Sequence, residues 1–401
     1  MIETWRWFGP TDVTTISDIM QTGAGAIVSA LHHVPDGAVW SPHEITKRQV
    51  QIGTTTDGRA SGLAWLVVES LPVSEDIKQQ TGKWREHIAN YKLSLENLAA
   101  AGIFTVCYNF MPVIDWTRTD LAWRLGHGGT CMRFDAIDFA AFDIHLLQRK
   151  GAAESVTPFV ADAATARFVG MSGTDKGQLA ASVLAGLPGA ADRLSIDTVR
   201  EHLSRYGSIS GERLRRHLFD FLEEVVPVAA RLGIRLCCHP DDPPFPLMGL
   251  PRIMSTEVDY RAMLEHLPDA ANGMTLCSGA LGARPDNDLP GIMRRLGDRV
   301  HFLHLRNVRL EGEAVGCSFH ESEHLDGSVD MVELIRAIVA EEARRKAVGR
   351  SDWVIPMRPD HGQDILDDLR RGGQPGYPLI GRLKGLAELR GVARAFAQVG
   401  Q

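Results

Sequence analysis

The sequence has few cysteines, no long apolar run and no excess of positive charge. Six cysteines in 401 residues are too few for a disulfide-built scaffold, so in a reducing compartment they are free thiols or metal ligands. No apolar run reaches the ~18 residues that a membrane-spanning helix needs. A net charge of -7 argues against nucleic acid as a partner. With an acidic, polar start that lacks a signal-peptide core, these features predict a cytoplasmic protein with neither nucleic-acid nor membrane partners.

What the sequence does contain is a regular alternation of short apolar runs and helical stretches. Eight runs are typical of strands: TWRWF, GAIVSALHH (ending at His32 and His33), GLAWLVVES, IFTVCYNF, IRLCCH, MTLCS, VHFLHL and WVIPM. Apolar runs without polar alternation are typical of parallel strands that are buried on both faces. Eight such strands close a barrel. The sequence therefore predicts an α/β fold, a (β/α)8 TIM barrel.

Two segments exceed the minimal barrel unit. Residues 117–210, which include a Gly-, Ala- and Asp-rich stretch, are predicted to be an insertion after strand 4. Residues 311–328 are predicted to form a long polar loop after strand 7, on the side of the barrel where loops build active sites. With these additions, residues 1–401 are predicted to form a single barrel domain. Long helices are predicted over residues 76–101 and 211–232.

Four residues of metal-binding type follow apolar runs in the second half of the chain: His239, Cys277, His304 and Asp360. Each alone has an ordinary explanation, as a hydrogen-bonded structural histidine, a small buried thiol or a capping carboxylate. Because the carboxyl ends of barrel strands converge on one mouth, the four together predict a site for a divalent transition metal. The adjacent Cys237 and Cys238 are interpreted as core residues.

Further polar residues near these strand ends are candidates for substrate binding. Arg306 and Asn307 directly follow strand 7, and a guanidinium there suits a substrate carboxylate, although a surface charge explains it equally well. His320 and His324 lie in the predicted polar loop, where Gly327 argues against a helical metal-binding pair and favours a loop that covers substrate. Arg306, Asn307 and His320 are therefore predicted to bind substrate.

At these residues the chain resembles the D-mannonate dehydratase family of the hexuronate pathway. The resemblance rests on six segments in order along nearly the whole chain: WRWFGPTD, HPDDPP, LCSG, FLHLRN, FHESEHLDG and MRPDHG. It implies a barrel of the xylose-isomerase-like superfamily and a catalytic Fe2+ or Mn2+. The implied reaction converts D-mannonate, a sugar acid, to 2-keto-3-deoxy-D-gluconate and water. A homodimer or higher homo-oligomer is also implied.

The resemblance assigns roles residue by residue. It implies that the metal ligands are His239, Cys277, His304 and Asp360. It implies that the catalytic pair is His361, next to Asp360, and Tyr377 in QPGYPLIG. Two proton-transfer groups suit a dehydration, which removes a C2 proton and expels a hydroxide. Histidine titrates near neutrality, and tyrosine can serve if a metal lowers its pKa from about 10. A thiolate favours Fe2+, Zn2+ or Co2+ over Mg2+ and Ca2+.

Two other functions are compatible with the same residues. A metal-dependent sugar isomerase or epimerase can use this barrel, but such sites are typically richer in Glu and Asp than one with a single carboxylate and a thiolate. A non-catalytic sugar-acid-binding metalloprotein would retain the loops but would not need His361 beside the metal. A structural zinc site is disfavoured, because its ligands usually come in close-spaced pairs such as C-x-x-C.

Overall fold

The computed structural model describes residues 1–114, 116–186 and 194–399. Twelve strands lie in these ranges: β1 Ile2–Arg6, β2 Ala26–Ser29, β3 Ala64–Glu69, β4 Thr105–Tyr108, β5 Asp120–Arg124, β6 Thr130–Phe134, β7 Arg235–Cys238, β8 Asn272–Cys277, β9 Val300–Leu305, β10 Asn307–Leu310, β11 Phe319–Ser322 and β12 Pro356–Pro359. Eight of them form a closed barrel in the order β1, β2, β3, β4, β7, β8, β9, β12, with β12 paired to β1. All barrel pairs are parallel, which confirms the predicted (β/α)8 barrel.

The helices of the described residues lie mostly between barrel strands. They are α1 Ile16–Thr22, α2 Pro42–Gly53, α3 Glu75–Gln79, α4 Trp84–Ala100, α5 Ala136–Ala141, α6 Pro158–Gly170, α7 Gly173–Val183, α8 Ile196–Tyr206, α9 Gly211–Leu232, α10 Glu257–His266, α11 Ser278–Gly282, α12 Leu289–Leu296, α13 Met331–Ala347, α14 Asp368–Arg371 and α15 Leu379–Val399. Within the described ranges, none combines the length and the apolar content of a membrane span.

The interior of the barrel is apolar, as its strand sequences predict. Every residue of β9 is buried, and Cys237 packs inside the barrel with Phe302 and other strand residues. Its neighbour Cys238 packs instead in the larger core between strands and helices, because successive strand residues point in opposite directions. Both cysteines are therefore core residues, as predicted. A barrel filled with side chains is a rigid support for groups at its mouth.

The predicted helix 76–101 is two helices, α3 and α4. Gln80 ends α3 with a positive φ of 54°, and Gly82 follows with a φ of +56°. The chain therefore turns before α4 begins at Trp84, because a left-handed backbone conformation interrupts the helical hydrogen-bond ladder. The long helix predicted over residues 211–232 is confirmed. It begins after the capping Ser210 and ends at Gly233 in the left-handed conformation.

Two predicted strands also have different bounds. Strand 2 was expected to reach His32 and His33, but β2 ends at Ser29. Strand 8 was expected at WVIPM, yet β12 begins at Pro356. The amide of Ile355 donates to a carboxylate of Glu342 in α13 (2.8 Å). The residues before Pro356 are thus tied to a helix, and the strand continues closer to Asp360.

The segment after β9 is a β-hairpin rather than an irregular polar loop. β10 pairs with β11, β11 with β6, and β6 with β5, all antiparallel. This four-stranded sheet joins the hairpin to the predicted insertion, residues 117–210, which also contains α5 to α8. Residues 187–193 of that insertion lie outside the described residues. Phe134 and Phe319 stack within a second apolar core under the sheet. The division of residues 1–401 into one domain with an insertion stays a prediction.

Candidate active site and metal centre

A pocket opens at the carboxyl ends of the barrel strands, where TIM barrels carry their active sites. It encloses about 440 Å³ of empty space, part of it open to solvent. Residues on or directly after five barrel strands contribute to its walls, with Trp116 and Tyr377 from the segments that follow β4 and β12. The polar lining is Arg6, Glu69, Ser70, Asn109, His239, Asp242, Arg358, Asp360, His361 and Tyr377.

Three side chains at this mouth are close enough together to hold a metal ion. His239 directly follows β7, Cys277 ends β8, and His304 lies near the end of β9. One ligand atom from each lies within 4.8 Å of the other two. Cys277 and His304 are partners in the β8–β9 pairing, so the parallel register itself brings them together. The Sγ atom of Cys277 also accepts the N–H of Ala280 at the start of α11 (3.4 Å).

The orientation of the two imidazole rings fits a cation between them. The Nδ1–H of His239 donates to the carbonyl of Pro240 (2.7 Å), so its Nε2 carries a lone pair. That Nε2 lies 3.1 Å from Nδ1 of His304. The other nitrogen of His304 makes no well-directed hydrogen bond. It lies 3.2 Å from Glu69 Oε2. Nitrogens of the two rings therefore converge, and a cation bound there would accept a lone pair from each.

Asp360, the fourth predicted ligand, lies beside the cluster but is bonded to arginines. Its Oδ2 is 3.6 Å from Cys277 Sγ and 3.0 Å from Arg306 Nε. Its Oδ1 accepts a hydrogen bond from Arg358. Burial raises the pKa of this carboxyl, but Arg358, His361 and Arg306 outweigh burial and hold the pKa well below its ordinary value. Asp360 is therefore an anion at the edge of the three-residue cluster.

His361 and Tyr377, the predicted catalytic pair, are both buried and face each other in the pocket. Their ring centroids are 5.0 Å apart and nearly perpendicular. Burial lowers the pKa of His361. Burial also raises the pKa of Tyr377 to about 12, although nearby Arg358 acts in the opposite direction. At neutral pH the imidazole is therefore neutral and the phenol protonated.

Comparison with known proteins identifies the family. The family model for D-mannonate dehydratase matches residues 1–401. Mannonate dehydratase of Rhizobium meliloti (strain 1021) is 57% identical over 397 residues, which cover 99% of this chain and 97% of that protein. Mannonate dehydratase 1 of Agrobacterium fabrum is also 57% identical, with the same coverage. The crystal structure of mannonate dehydratase from Streptococcus suis serotype 2 superposes with a TM-score of 0.75 at 30% identity, and covers 100% of this chain and 94% of that one.

The chain belongs to the D-mannonate dehydratase family. Its fold therefore matches that of a solved member over the full length, and the barrel mouth is the place to look for the family's chemistry.

Three residues of this dehydratase-family chain were predicted to bind substrate. None of them is among the described residues that line the pocket. Arg306 is buried in ion pairs next to it. Asn307 is fully buried, and its side chain bonds the backbone of Val308, His324 and Val329. His320 lies on β11 beside Glu311 (2.9 Å) and Trp123 (ring centroids 4.7 Å apart). Successive strand residues alternate in direction, so His320 and the neighbouring Glu321 point to opposite faces.

A buried ionic network next to the pocket was missed by sequence reasoning. Arg118 binds Asp242 (2.8 Å) and Glu321 (3.0 Å), and Arg306 binds the same two carboxylates. Burial raises the pKa of Glu321, but Arg306 and His361 outweigh it and bring the pKa to about 2. The Oε1 atom of Glu321 lies 3.1 Å from Nδ1 of His361, and Arg306 Nη1 lies 2.5 Å from the same nitrogen.

Two signals in the sequence could have revealed this network. The acidic pair in HPDDPP placed Asp242 close to a strand end. Glu321 in FHESEH would have been found if that stretch had been assigned as a strand, because the alternation of side chains then separates it from His320. No local signal marks Arg118, which reaches the network from the start of the insertion.

Proposed function

We propose that this chain catalyses the dehydration of D-mannonate to 2-keto-3-deoxy-D-gluconate and water. The observation that carries the proposal is that a neutral histidine and a protonated tyrosine line the same pocket as His239, which belongs to the His–Cys–His cluster. Family membership over the full chain supports it. The family match disfavours the two alternatives, sugar isomerisation or epimerisation and sugar-acid binding without turnover, because neither accounts for it.

The reaction breaks two bonds on adjacent carbons. The C2–H bond gives a proton to a base, and the C3–O bond releases hydroxide, which takes up a proton and leaves as water. The resulting enol becomes the 2-keto product. Negative charge develops on the carboxylate side as the C2 proton leaves, and hydroxide needs a proton donor to depart. One base and one acid, held on the same substrate, therefore supply most of what the reaction needs from the protein.

We assign the base to His361 and the acid to Tyr377. Their pKa values are displaced in opposite directions by burial, which is the usual way for a protein to separate an acid from a base. A bound cation would lower both pKa values. His361 would then stay neutral, and the pKa of Tyr377 would move closer to neutral pH. With its proton on Nδ1, His361 donates to Glu321 (3.1 Å), and Nε2 then carries the lone pair that a base needs.

We propose that His239, Cys277, His304 and Asp360 hold a divalent metal ion. The first three already converge, and Asp360 supplies a carboxylate next to Cys277. When bound, the ion would act as a Lewis acid toward substrate oxygens. A mixed set of imidazole, thiolate and carboxylate suits Fe2+ better than Mg2+, and Mn2+ is the alternative that the family resemblance implies.

We also propose a homodimer or higher homo-oligomer, which light scattering on the purified protein tests directly.

One assay tests the activity. Purified protein is stripped of metal, reloaded separately with Fe2+, Mn2+ or Mg2+, and incubated with D-mannonate. We expect a 2-keto-3-deoxy acid with Fe2+ or Mn2+ and little product with Mg2+. The product is identified by mass, since dehydration lowers the mass of the sugar acid by one water and isomerisation does not change it. A product of unchanged mass would favour the isomerase alternative, and binding without any product would favour the binding protein.

A further inference from the structure

The pocket must bind an anionic sugar acid, yet most of the arginines near it already have their donors in use. Arg306 and Arg118 are committed to the network with Asp242 and Glu321. In the described part of the chain, two arginines line the pocket itself, Arg6 and Arg358. These two are therefore the candidates for binding the carboxylate of a ligand.

All three guanidinium nitrogens of Arg358 already donate to carboxylates. Its Nε and Nη2 donate to the two oxygens of Glu69 (2.9 and 2.7 Å). Its Nη1 donates to Asp360. The guanidinium is almost wholly buried and contacts these two carboxylates on its three nitrogens. A ligand carboxylate would have to displace one of them, and the displaced anion would remain buried without a partner, which is costly.

Arg6 differs from Arg358 in this respect. It ends β1 at the pocket wall and is only 4% exposed. Its Nη1 lies 2.5 Å from Glu69 Oε1, but its Nε has no hydrogen-bond partner among the described residues. The same Glu69 is already neutralised by two hydrogen bonds from Arg358. Arg6 also lies over the Phe8 ring (4.9 Å), so what remains is one buried Nε–H without an acceptor, and a carboxylate is the strongest acceptor for it.

Its position also suits the carboxylate end of the proposed substrate. Glu69 connects Arg6 to the metal cluster, because its Oε1 contacts Arg6 while its Oε2 lies 3.2 Å from His304 Nε2. A ligand carboxylate at Arg6 is therefore one side chain away from the cluster. The atoms that react, C2 and C3, directly follow the carboxylate carbon, so they would extend toward the cluster and toward Tyr377 in the same pocket.

We propose that Arg6 binds the substrate carboxylate and makes the pocket select sugar acids over neutral sugars of the same shape. This inference rests on the proposed function, since it takes a sugar acid as the ligand. It reassigns to Arg6 the role that sequence reasoning gave to Arg306. Arg306 instead holds the ionic network and His361.

The test compares binding of D-mannonate with that of D-mannonamide, its uncharged amide, by calorimetry. For the wild-type protein we expect the acid to bind about 10- to 100-fold more tightly, the scale of a charged hydrogen bond. In Arg6→Gln this ratio should fall to nearly one, mainly through loss of acid binding. Arg6→Lys should keep part of the ratio. Arg48→Gln is the matched control, because Arg48 is also buried but binds Ser29, Ala30 and Gln51 away from the pocket lining, and its ratio should stay as in wild type.

The outcomes distinguish a wrong role for Arg6 from a wrong proposed function. If Arg6→Gln keeps the wild-type ratio, or loses acid and amide binding equally, Arg6 does not bind the carboxylate and the proposal is overturned. Metal-free wild type gives a second measurement that needs no variant to fold. Selection of the acid that persists without metal supports Arg6, and selection that vanishes with the metal overturns it. If wild type selects the acid but forms no keto-deoxy product, the proposed function fails while the role of Arg6 stands.

Discussion

At the residue scale, the proposed metal site depends on the side chain of Cys277 at the end of β8. Cys277 is fully buried, is paired in register with His304, and lies next to Asp360. We predict that Cys277→Ser keeps the fold but loses most bound Fe2+ or Mn2+ and most activity, because a hydroxyl is a much weaker ligand for these ions. Metal content by mass spectrometry and melting temperature measure the two effects. Cys237→Ser is the control inside the barrel, and full metal occupancy in Cys277→Ser would rule out the ligand role.

A second residue-scale prediction concerns Glu321, which holds His361 without lining the pocket. Its carboxylate contacts Nδ1 of His361 at 3.1 Å. Glu321→Gln keeps the shape but removes the charge, so we expect kcat to fall about 10- to 100-fold with little change in KM. Added metal should not restore it. His320→Ala, on the opposite face of β11, should retain near-native kcat. A large rise in KM for Glu321→Gln would show that the residue acts on binding instead.

Residue types at strand ends were enough to predict that His239, Cys277 and His304 lie close together, and the family resemblance pointed to His361 and Tyr377, which line one pocket. They were not enough for Glu69, Arg118 or Glu321, because these residues belong to segments that meet only in three dimensions. Glu69 is paired with Arg358 from a strand at the other end of the chain. A buried ion pair of this kind leaves no periodic pattern in the sequence. The position of Asp360 between two arginines was hidden for the same reason.

At the element scale, the added sheet supports the polar network. Phe319 on β11 is fully buried, stacks on Phe134 and lies 4.9 Å beneath the guanidinium of Arg118. We predict that Phe319→Ala lowers the free energy of unfolding by about 3 kcal/mol, the usual cost of a large cavity, and also lowers kcat because Arg118 loses its support. Urea unfolding and steady-state kinetics measure both. Val315→Ala in the exposed turn of the same hairpin should change neither, and a stable, fully active Phe319→Ala would contradict the supporting role.

The barrel could be predicted from the sequence because each of its strands is a continuous apolar run. The hairpin could not, since β10 and β11 have only four residues each and their polar composition is typical of a loop. Their stability comes from pairing with β6, which lies far away along the chain. Helix α3 was merged with α4 because the residues on both sides of Gly82 favour a helix. The break depends on a backbone turn that periodicity does not report.

At the scale of the whole molecule, buried histidines make the fold sensitive to mild acid. Burial lowers the pKa of His32 and His301 to about 3 and that of His324 to about 4. In the unfolded chain the same side chains take up a proton near pH 6.5. The folded protein therefore keeps its full stability above pH 6.5 and loses it as the pH falls, because protons then bind the unfolded state preferentially. Depressed carboxylates such as Glu321, with a pKa of about 2, add a further loss only below about pH 4.

We therefore predict that the free energy of unfolding decreases by about 1 kcal/mol per buried histidine between pH 6.5 and 5.5. Urea unfolding at pH 7.5, 6.5 and 5.5 measures the slope. His301→Gln should reduce it, because a glutamine can still donate to the carbonyl that His301 now bonds (3.0 Å) but does not titrate. His43→Gln, at an exposed position, should leave the slope unchanged. A stability that is flat from pH 7.5 to 5.5 would mean that these histidines are hydrated or already charged in the folded protein. The barrel would then owe its acid response to the carboxylate network alone.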